Sequence, residues 1–337
     1  MNAIDIKDEL EANASNVNEY ILSSLKGNPI ELYRASSHYI SSGGKRLRPF
    51  ILIKSGELFG GNLKTSISAA AAVELIHNFS LVHDDIMDND DTRHNVQTVH
   101  KYYGTPLAIL AGDILFSKAF EMLSVDGRAN GIPEKSICEM IARLSLACIQ
   151  VCEGQAIDVG MASTNKESLF DSPKYLDMIT KKTAALFELS CVMGALSAPN
   201  SKPVDVERLS RFGRNIGIAF QLVDDLIGIT GDPSVTGKAV GNDLREGKKT
   251  YPILLALRYA DGEDRSKILR IFGRKNASFD DLKQAVAAIS TVGIDEEIRT
   301  RARTHIEKAI RTLAVYENSA AKLALASSAS FIVERSL

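Results

Sequence analysis

Apolar residues recur at spacings of three and four along almost the whole chain, which is the period of an amphipathic helix. The segment that contains Ile298, Ala302, Ile306, Ile310 and Leu313 is one example. Runs in which apolar and polar residues alternate, as they do in a strand, are nearly absent. The pattern therefore predicts an all-α fold.

Short stretches rich in glycine and proline interrupt this pattern. They lie at 27–29, 43–44, 60–61, 126–133, 197–203, 230–238 and 261–264. By the usual start and stop signals these breaks delimit about ten helices. None of them is long or low in complexity, so we predict one large helical domain over residues 1–337.

Composition and charge exclude several classes of partner. A formal net charge of -2 argues against broad electrostatic binding to nucleic acid or anionic membranes. No window approaches the roughly 20 uninterrupted apolar residues of a membrane span. The cysteines form no CxxC pair and are expected to be reduced core thiols; they are Cys138, Cys148, Cys152 and Cys191. We expect a soluble, cytoplasmic protein.

The apolar segment "ISAAAAVELIHNFSLV" is followed at once by "HDDIMDNDDTR". If residues 67–88 form one helix, Asp84 and Asp88 lie one turn apart on one face, which His77 and Ser80 continue. Carboxylates at that spacing repel each other, so a cation between them is a natural explanation, although an acidic helix end facing solvent has the same pattern. Mg²⁺ suits such ligands, because it takes one or two carboxylates and completes its shell with water and phosphate oxygens.

A second apolar segment, "IGIAFQLVDDLIGITGD", carries Asp224-Asp225, and basic clusters accompany both aspartate pairs. "SSGGKRLRPF" offers cationic side chains beside two glycines and a favourable helix start, which together favour a phosphate. Each basic residue alone would more often be a solvated surface residue. Together they indicate several Mg²⁺ ions and more than one diphosphate; these residues are Lys45, Arg46, Arg48, Lys181, Lys182, Lys238, Lys248 and Lys249.

Six motifs in order, between residues 43 and 250, carry a resemblance to a known family. They are "GGKRLRP", "ELIHNFSLVHDDIMD", "GQAID", "MITKKTAALF", "AFQLVDDL" and "GDPSVTGKAVGNDLREGKK". In these motifs the sequence resembles the trans-isoprenyl diphosphate synthases, which are head-to-tail prenyltransferases. It is most similar to the archaeal geranylgeranyl diphosphate synthases.

The resemblance implies an isoprenoid synthase fold, with helices around a central catalytic cavity, a homodimer, and aspartate motifs that face each other across the cavity mouth. The implied substrates are isopentenyl diphosphate and an allylic diphosphate, which can be dimethylallyl, geranyl or farnesyl diphosphate. About three Mg²⁺ ions are implied per site. The implied Mg²⁺ ligands are Asp84, Asp88 and Asp224, with Asp85 in support.

The resemblance also implies the residues that hold the substrates. Arg93, Lys182 and Lys238 would contact the allylic diphosphate, and Lys45, Arg48 and His77 would hold isopentenyl diphosphate. Supporting polar positions are Gln155, Asp158, Thr183, Gln221, Asp243 and Lys248. Phe79, with the small Ser80 beside it, would form the cavity floor that stops elongation, which implies a C20 product. The nearest alternative is a farnesyl diphosphate synthase, with a C15 product, or a bifunctional enzyme that makes both products.

The sequence departs from the family pattern at two places. Gly228 stands where the second motif usually ends in aspartate, and we expect activity to survive because the third metal is assigned to Asp224. His94 replaces an arginine that would face isopentenyl diphosphate. If His94 makes that contact, the KM for isopentenyl diphosphate should rise with pH as the imidazole loses its charge. A loop histidine without this contact is the alternative.

Other functions remain open from the residues alone. His83-Asp84 is an HD pair, as in metal-dependent phosphohydrolases, but that reading leaves the second aspartate pair and "GGKRLRP" unexplained. A non-catalytic partner subunit with this fold would usually lack the first motif. A terpene cyclase or a head-to-head synthase would not need the residues implied to hold isopentenyl diphosphate.

Overall fold

The computed structural model describes residues 6–93, 95–163, 172–230, 241–274 and 276–334. In this part of the chain the only strands are β1 (Thr92–Arg93) and β2 (Val96–Gln97), which pair antiparallel. All other regular structure is helical, so the prediction of an all-α fold is confirmed.

The first helices of the chain are α1 (Lys7–Ser24), α2 (Ile30–Ser41), α3 (Leu47–Glu57), α4 (Leu63–Asp88), α5 (Val99–Tyr103), α6 (Thr105–Glu121), α7 (Gly127–Ala129), α8 (Glu134–Ser163) and α9 (Ser172–Ile179). They are followed by α10 (Ala185–Ser197), α11 (Pro203–Thr230), α12 (Asn242–Glu246), α13 (Tyr251–Tyr259), α14 (Gly262–Ile271), α15 (Phe279–Thr291), α16 (Asp295–Leu313) and α17 (Ala320–Glu334). π-helical turns at Met122–Asp126 and Thr180–Ala184 join α6 to α7 and α9 to α10.

The described residues contain more helical segments than the predicted ten or so. The predicted breaks at 27–29, 43–44, 60–61 and 197–203 separate helices. The predicted break at 126–133 instead contains α7, that at 261–264 overlaps the start of α14, and residues 231–238 lie outside the described residues. Two π-helical turns and several short helices subdivide the chain further. The two π-helical turns contain no glycine or proline that would mark them, which is why the pattern missed them.

The chain divides into two compact units. The first comprises Met1–Cys148, Leu186–Gly213 and Thr312–Ser328, and the second comprises Ile149–Ala185, Arg214–Arg311 and Ala329–Leu337. Each unit is assembled from segments distant in sequence. The single domain and the central cavity expected from the sequence stay predictions.

In the first unit α4 packs against α1, α3 and α6. One face of α3 closely approaches α10, where a Cβ on Gly194 would lie 2.2 Å from the carbonyl oxygen of Leu52. In the second unit α13 packs against α9, α14 and α15 and is buried along most of its length. Burial of these helices removes apolar surface from water and stabilises each unit.

Helix α4 is long and apolar enough to cross a membrane by length and composition, but 72% of its most apolar window is buried inside the protein. It is therefore a core helix. None of the four cysteines, all of which are described, forms a disulfide. The expected core position is correct for Cys148 and Cys191 but wrong for Cys138 and Cys152, which lie on an exposed face of α8.

Candidate active site

The helix that carries the first aspartate motif, α4, is capped at each end by an asparagine. The backbone N–H of Thr65 donates to the side chain of Asn62 at 3.1 Å, and the N–H of Asn62 donates to the Thr65 hydroxyl at 3.3 Å. This reciprocal pair is a capping box. At the other end Asn89 adopts a left-handed conformation with φ of 54°, which stops α4 just after Asp88.

Asp84 and Asp88 lie four residues apart on α4, on one face, and both are half-buried. They stand in the last turns of the helix, where the macrodipole already carries partial negative charge. Both effects favour a bound cation. Among the described residues no group of three or more His, Cys, Asp or Glu side chains could hold a metal ion by itself. An ion here therefore needs ligands from water or substrate, which fits Mg²⁺.

Asp85 points away from that face and is fully buried. It accepts hydrogen bonds from the hydroxyl of Tyr39 and from Nε of Arg93, the latter at 2.7 Å, and an ion-pair contact of 2.6 Å joins it to Nη2 of Arg93. Burial and the Asp85 carboxylate raise the pKa of Tyr39. Burial alone would lower the pKa of Arg93, but the hydrogen bond and charge of Asp85 outweigh it and raise that pKa. Asp85 thus ties Arg93 to α4.

Two of the three residues implied to hold isopentenyl diphosphate, Arg48 and His77, meet where α3 begins. Nη1 of Arg48 lies 3.2 Å from Nε2 of His77, and the guanidinium stacks 4.4 Å above the Phe187 ring. Because an arginine only donates, Nε2 of His77 is the acceptor in this contact. Lys45, on the preceding loop, is exposed. The structure thus brings Arg48 and His77 together with an apolar ring behind them.

Arg46 differs from its neighbours, although the sequence grouped it with them as a cation for phosphate. Its guanidinium is buried and forms an ion pair with Glu74 of α4 at 2.9 Å. That interpretation is wrong for Arg46, because its charge is already matched inside the protein.

The second aspartate pair lies on α11 in two different environments. Asp224 is half-buried, whereas Asp225 is buried and accepts hydrogen bonds from the Tyr175 hydroxyl and the Gln221 amide, both at 2.6 Å. Burial, followed by the charge of Asp243, raises the pKa of Asp225 from 3.8 to about 7, and the two hydrogen bonds oppose that rise. Asp225 is the anchored member of the pair, and Asp224 as a metal ligand stays a prediction.

Thr183 and Lys182 lie in the π-helical turn Thr180–Ala184. The Thr183 hydroxyl donates to Oε1 of Gln221 at 2.6 Å, so the chain of hydrogen bonds that fixes Asp225 extends to this turn. Nζ of Lys182 lies 2.7 Å from Oδ2 of Asp158 on α8. A Cβ on Gly154 would meet the backbone of Lys182 at 2.3 Å, so this close approach requires glycine. The structure thus pairs Lys182 with Asp158, one of the predicted supporting residues.

Gly228, the departure in the second motif, lies beside Asp243. A Cβ on Gly228 would be 3.2 Å from Oδ2 of Asp243, so the carboxylate of Asp243 stands close to where the family's aspartate side chain would start. Nearby, Nζ of Lys248 lies 3.3 Å from a carboxylate oxygen of Glu246.

Phe79 is half-buried between α4 and α6. Its ring lies 4.7 Å from the His83 ring and 5.3 Å from the Phe116 ring, and Phe116 in turn lies 5.1 Å from Phe120. The Ser80 hydroxyl donates to the His77 carbonyl at 2.7 Å and adds no bulk. Nε2 of His83 lies 3.3 Å from the Ile109 carbonyl, so the imidazole of the HD pair is hydrogen-bonded to the backbone while its ring contacts Phe79.

Two predicted site residues, His94 and Lys238, lie outside the described residues. Gln155 is described, and both polar atoms of its buried amide lack a hydrogen-bond partner among the described residues.

The sequence missed four residues that shape these sites: Tyr39, Glu74, Phe116 and Tyr175. In the sequence, each of them occupies a position in a helix where an ordinary core or surface residue would also be expected. Only Glu74 carried a signal, because it is a charged residue inside the apolar run before the first motif.

Comparison with known proteins decides the family. A model of the family described as polyprenyl synthetase matches residues 29–289. The chain belongs to the polyprenyl synthetase family. A geranylgeranyl diphosphate synthase of Sulfolobus acidocaldarius is 44% identical over 83% of this chain and 83% of its own length.

Solved structures agree with this family. A geranylgeranyl pyrophosphate synthetase from Pyrococcus horikoshii superposes with a TM-score of 0.88 at 37% identity, over 98% of each chain. A geranylgeranyl pyrophosphate synthase from Corynebacterium glutamicum, complexed with isoprenyl diphosphate and magnesium, has a TM-score of 0.86 at 28% identity, over 98% of this chain and 100% of that one. This polyprenyl synthetase therefore has the isoprenoid synthase fold and is a prenyltransferase that elongates prenyl chains, as the motifs predicted.

Proposed function

We propose that this polyprenyl synthetase condenses isopentenyl diphosphate with allylic diphosphates in a Mg²⁺-dependent reaction and releases mainly geranylgeranyl diphosphate. The observation that carries the C20 product is the position of Phe79. It precedes Asp84 by five residues on α4, which is about 7.5 Å along a helix axis. Its ring is backed by Phe116, so a chain that grows along α4 away from Asp84 meets aromatic side chains.

The residues present fit Mg²⁺. Asp84 and Asp88 offer two carboxylates on one helix face, and Asp224 offers one beside the anchored Asp225. We propose these three as the metal ligands, with about three ions in the loaded enzyme. Bound Mg²⁺ would supply positive charge that stabilises the departing diphosphate.

The side chains of the chain itself would bind and orient both substrates. Arg93 and Lys182 donate to the allylic diphosphate, with Lys238 as a further contact from the sequence. Asp85 and Asp158 hold Arg93 and Lys182 in place from behind. Fixed cationic donors act where charge develops, and they need no reorganisation as the bond breaks.

Lys45, Arg48 and His77 would hold the diphosphate of isopentenyl diphosphate. The allylic C–O bond breaks to give a delocalised carbocation, and the double bond of isopentenyl diphosphate attacks it to form a C–C bond. Loss of a proton to the released diphosphate then gives a product one isoprene unit longer. Positioning of the double bond and exclusion of water by apolar walls decide the outcome.

We also propose a homodimer in the cytoplasm. Helix α8 exposes an apolar face at the period of the helix, and Leu146, Ile149 and Val159 are 51%, 53% and 49% exposed. Exposed apolar stripes of this length are typical of protein interfaces. Helix α6 separately exposes Ile109 and Leu110.

Incubation of the purified protein with Mg²⁺, labelled isopentenyl diphosphate and each of the three allylic diphosphates tests the proposal. The products are dephosphorylated and separated by chain length. A dominant C20 alcohol is expected. A C15 alcohol would keep the reaction but contradict Phe79 as the floor, and the absence of any longer prenyl chain would contradict the proposed reaction.

A further inference from the structure

The guanidinium of Arg46 joins three helices of the first unit. Its Nη1 lies 2.9 Å from a carboxylate oxygen of Glu74 on α4, and its Nε donates to the side chain of Asn18 on α1 at 2.7 Å. Its Nη2 donates to the carbonyl of Ile40 on α2 at 2.9 Å. Asn78 completes the cluster by donating to the same Glu74 oxygen at 2.9 Å. The buried pair is thus satisfied on both sides.

The backbone around Arg46 depends on that side chain. Arg46 has φ of 47°, a left-handed conformation that is unfavourable for any residue with a Cβ, and Gly43 and Gly44 have φ of 96° and 137°. A Cβ on Gly44 would lie 2.9 Å from Nη1 of Arg46, so the guanidinium passes directly beneath the glycine. The contacts of Arg46 therefore hold the "GGKR" loop in a conformation that it would otherwise avoid.

This loop carries Lys45 and leads directly into the first turn of α3, which carries Arg48, the second cation proposed for isopentenyl diphosphate. Lys45 immediately precedes Arg46 and is exposed, and Arg48 contacts His77. Glu74 and His77 are three residues apart on α4 and lie on one face. Arg46 and Arg48 thus attach the loop and the start of α3 to adjacent turns of α4. The buried contact of Arg46 with Glu74 sets the position of Arg48, which faces the ligand.

We propose that Arg46 and Glu74 are positioning residues for isopentenyl diphosphate, which do not touch the substrate but hold Lys45 and Arg48 where its diphosphate binds. The inference rests on the proposed function. Buried ion pairs contribute little net stability compared with apolar residues of similar volume, so fixing geometry is a reason to retain one.

The test measures binding of isopentenyl diphosphate by calorimetry, and the KM for both substrates, in Arg46→Met and Glu74→Gln. Because small displacements of positioning groups have large effects, we expect the Kd and KM for isopentenyl diphosphate to rise at least ~10-fold. The KM for geranyl diphosphate should change less than about 2-fold. Lys54→Met is the matched control, because Lys54 is a buried cation of α3 paired with Glu57 and Glu9. It should lower Tm and leave both KM values unchanged.

The double variant Arg46→Met/Glu74→Met separates positioning from stability. Removal of both charges should restore much of the Tm that either single change loses. If the weak binding of isopentenyl diphosphate persists in this stable variant, the positioning role is supported, even where a single variant does not fold. If binding recovers with Tm, or if both KM values change equally, the role is structural and the inference is overturned. Failure of the wild-type protein to bind isopentenyl diphosphate would instead overturn the proposed function.

Discussion

The Phe79 ring on α4 contacts the Phe116 ring on α6 edge to face, with 5.3 Å between centroids. Edge-to-face aromatic pairs add to the free energy gained by burial and hold both rings in place. The proposed floor is made of two rings from two helices, so it should resist displacement by the tip of a growing chain better than one side chain would.

Removal of the first ring should lengthen the product. In Phe79→Ala we expect products longer than C20 to dominate, because the chain can then extend as far as Phe116. Chromatography of the dephosphorylated products gives the distribution. Phe279→Ala, at a phenylalanine that is 79% exposed, should leave it unchanged.

Removal of both rings tests whether they act together. Phe116→Ala alone should shift the products slightly, and Phe79→Ala/Phe116→Ala should lengthen them further than the two single changes suggest, because residues in contact are not additive. Identical products from Phe79→Ala and the double variant would show that Phe116 is not part of the floor.

Substitutions of the aspartates in and next to the first motif should differ in their effect on activity. Asp84→Asn and Asp88→Asn each remove a carboxylate proposed to bind Mg²⁺, so kcat should fall at least ~100-fold. Asp91 belongs to the same acidic cluster, but its side chain is 82% exposed and pairs with Lys101, so Asp91→Asn should retain activity. Steady-state rates at saturating Mg²⁺ decide this. Equal loss in all three variants would indicate a general charge effect.

The sequence predicted the helical class and the family motifs because both are local properties, a period along the helix and short ordered strings of residues. It did not distinguish the role of Arg46 from that of Arg48, which lies two residues further along the chain. Which of the two turns inward depends on the left-handed backbone at Arg46 and on Glu74, which lies 28 residues away along the chain. Pairings between distant helices, such as Tyr39 with Asp85, leave no mark in the local pattern.

The hydrogen bond from Tyr175 to Asp225 should stabilise the second unit. Tyr175→Phe replaces the hydroxyl with hydrogen and leaves the buried carboxylate of Asp225 short of one donor. The free energy of unfolding should fall by about 1–3 kcal/mol. Urea unfolding measures the change, with Tyr259→Phe as control because Tyr259 is 52% exposed. A stability equal to wild type would mean that Asp225 does not depend on this donor.

The exposed face of α8 should hold two copies together. Ile149→Glu places a charge within the apolar stripe, so we expect a shift from dimer to monomer on size-exclusion chromatography with light scattering. Arg143→Glu introduces a charge of the same sign on the same helix but outside the stripe, and it should leave the dimer intact. A wild-type protein that is already monomeric would contradict the proposed dimer.

His305 should make stability depend on pH. Burial lowers its pKa, and the positive charges of Lys308 and Arg301 lower it further, while Asn215 lies 2.9 Å from its Nδ1. The folded protein therefore binds a proton less readily than the unfolded chain, whose histidine pKa is about 6.5. This contribution to stability is fully present above that value and is lost as pH falls through the lower pKa of the folded state. Urea unfolding from pH 8 to pH 5 should show a steeper loss in wild type than in His305→Gln, and parallel curves would contradict the assignment.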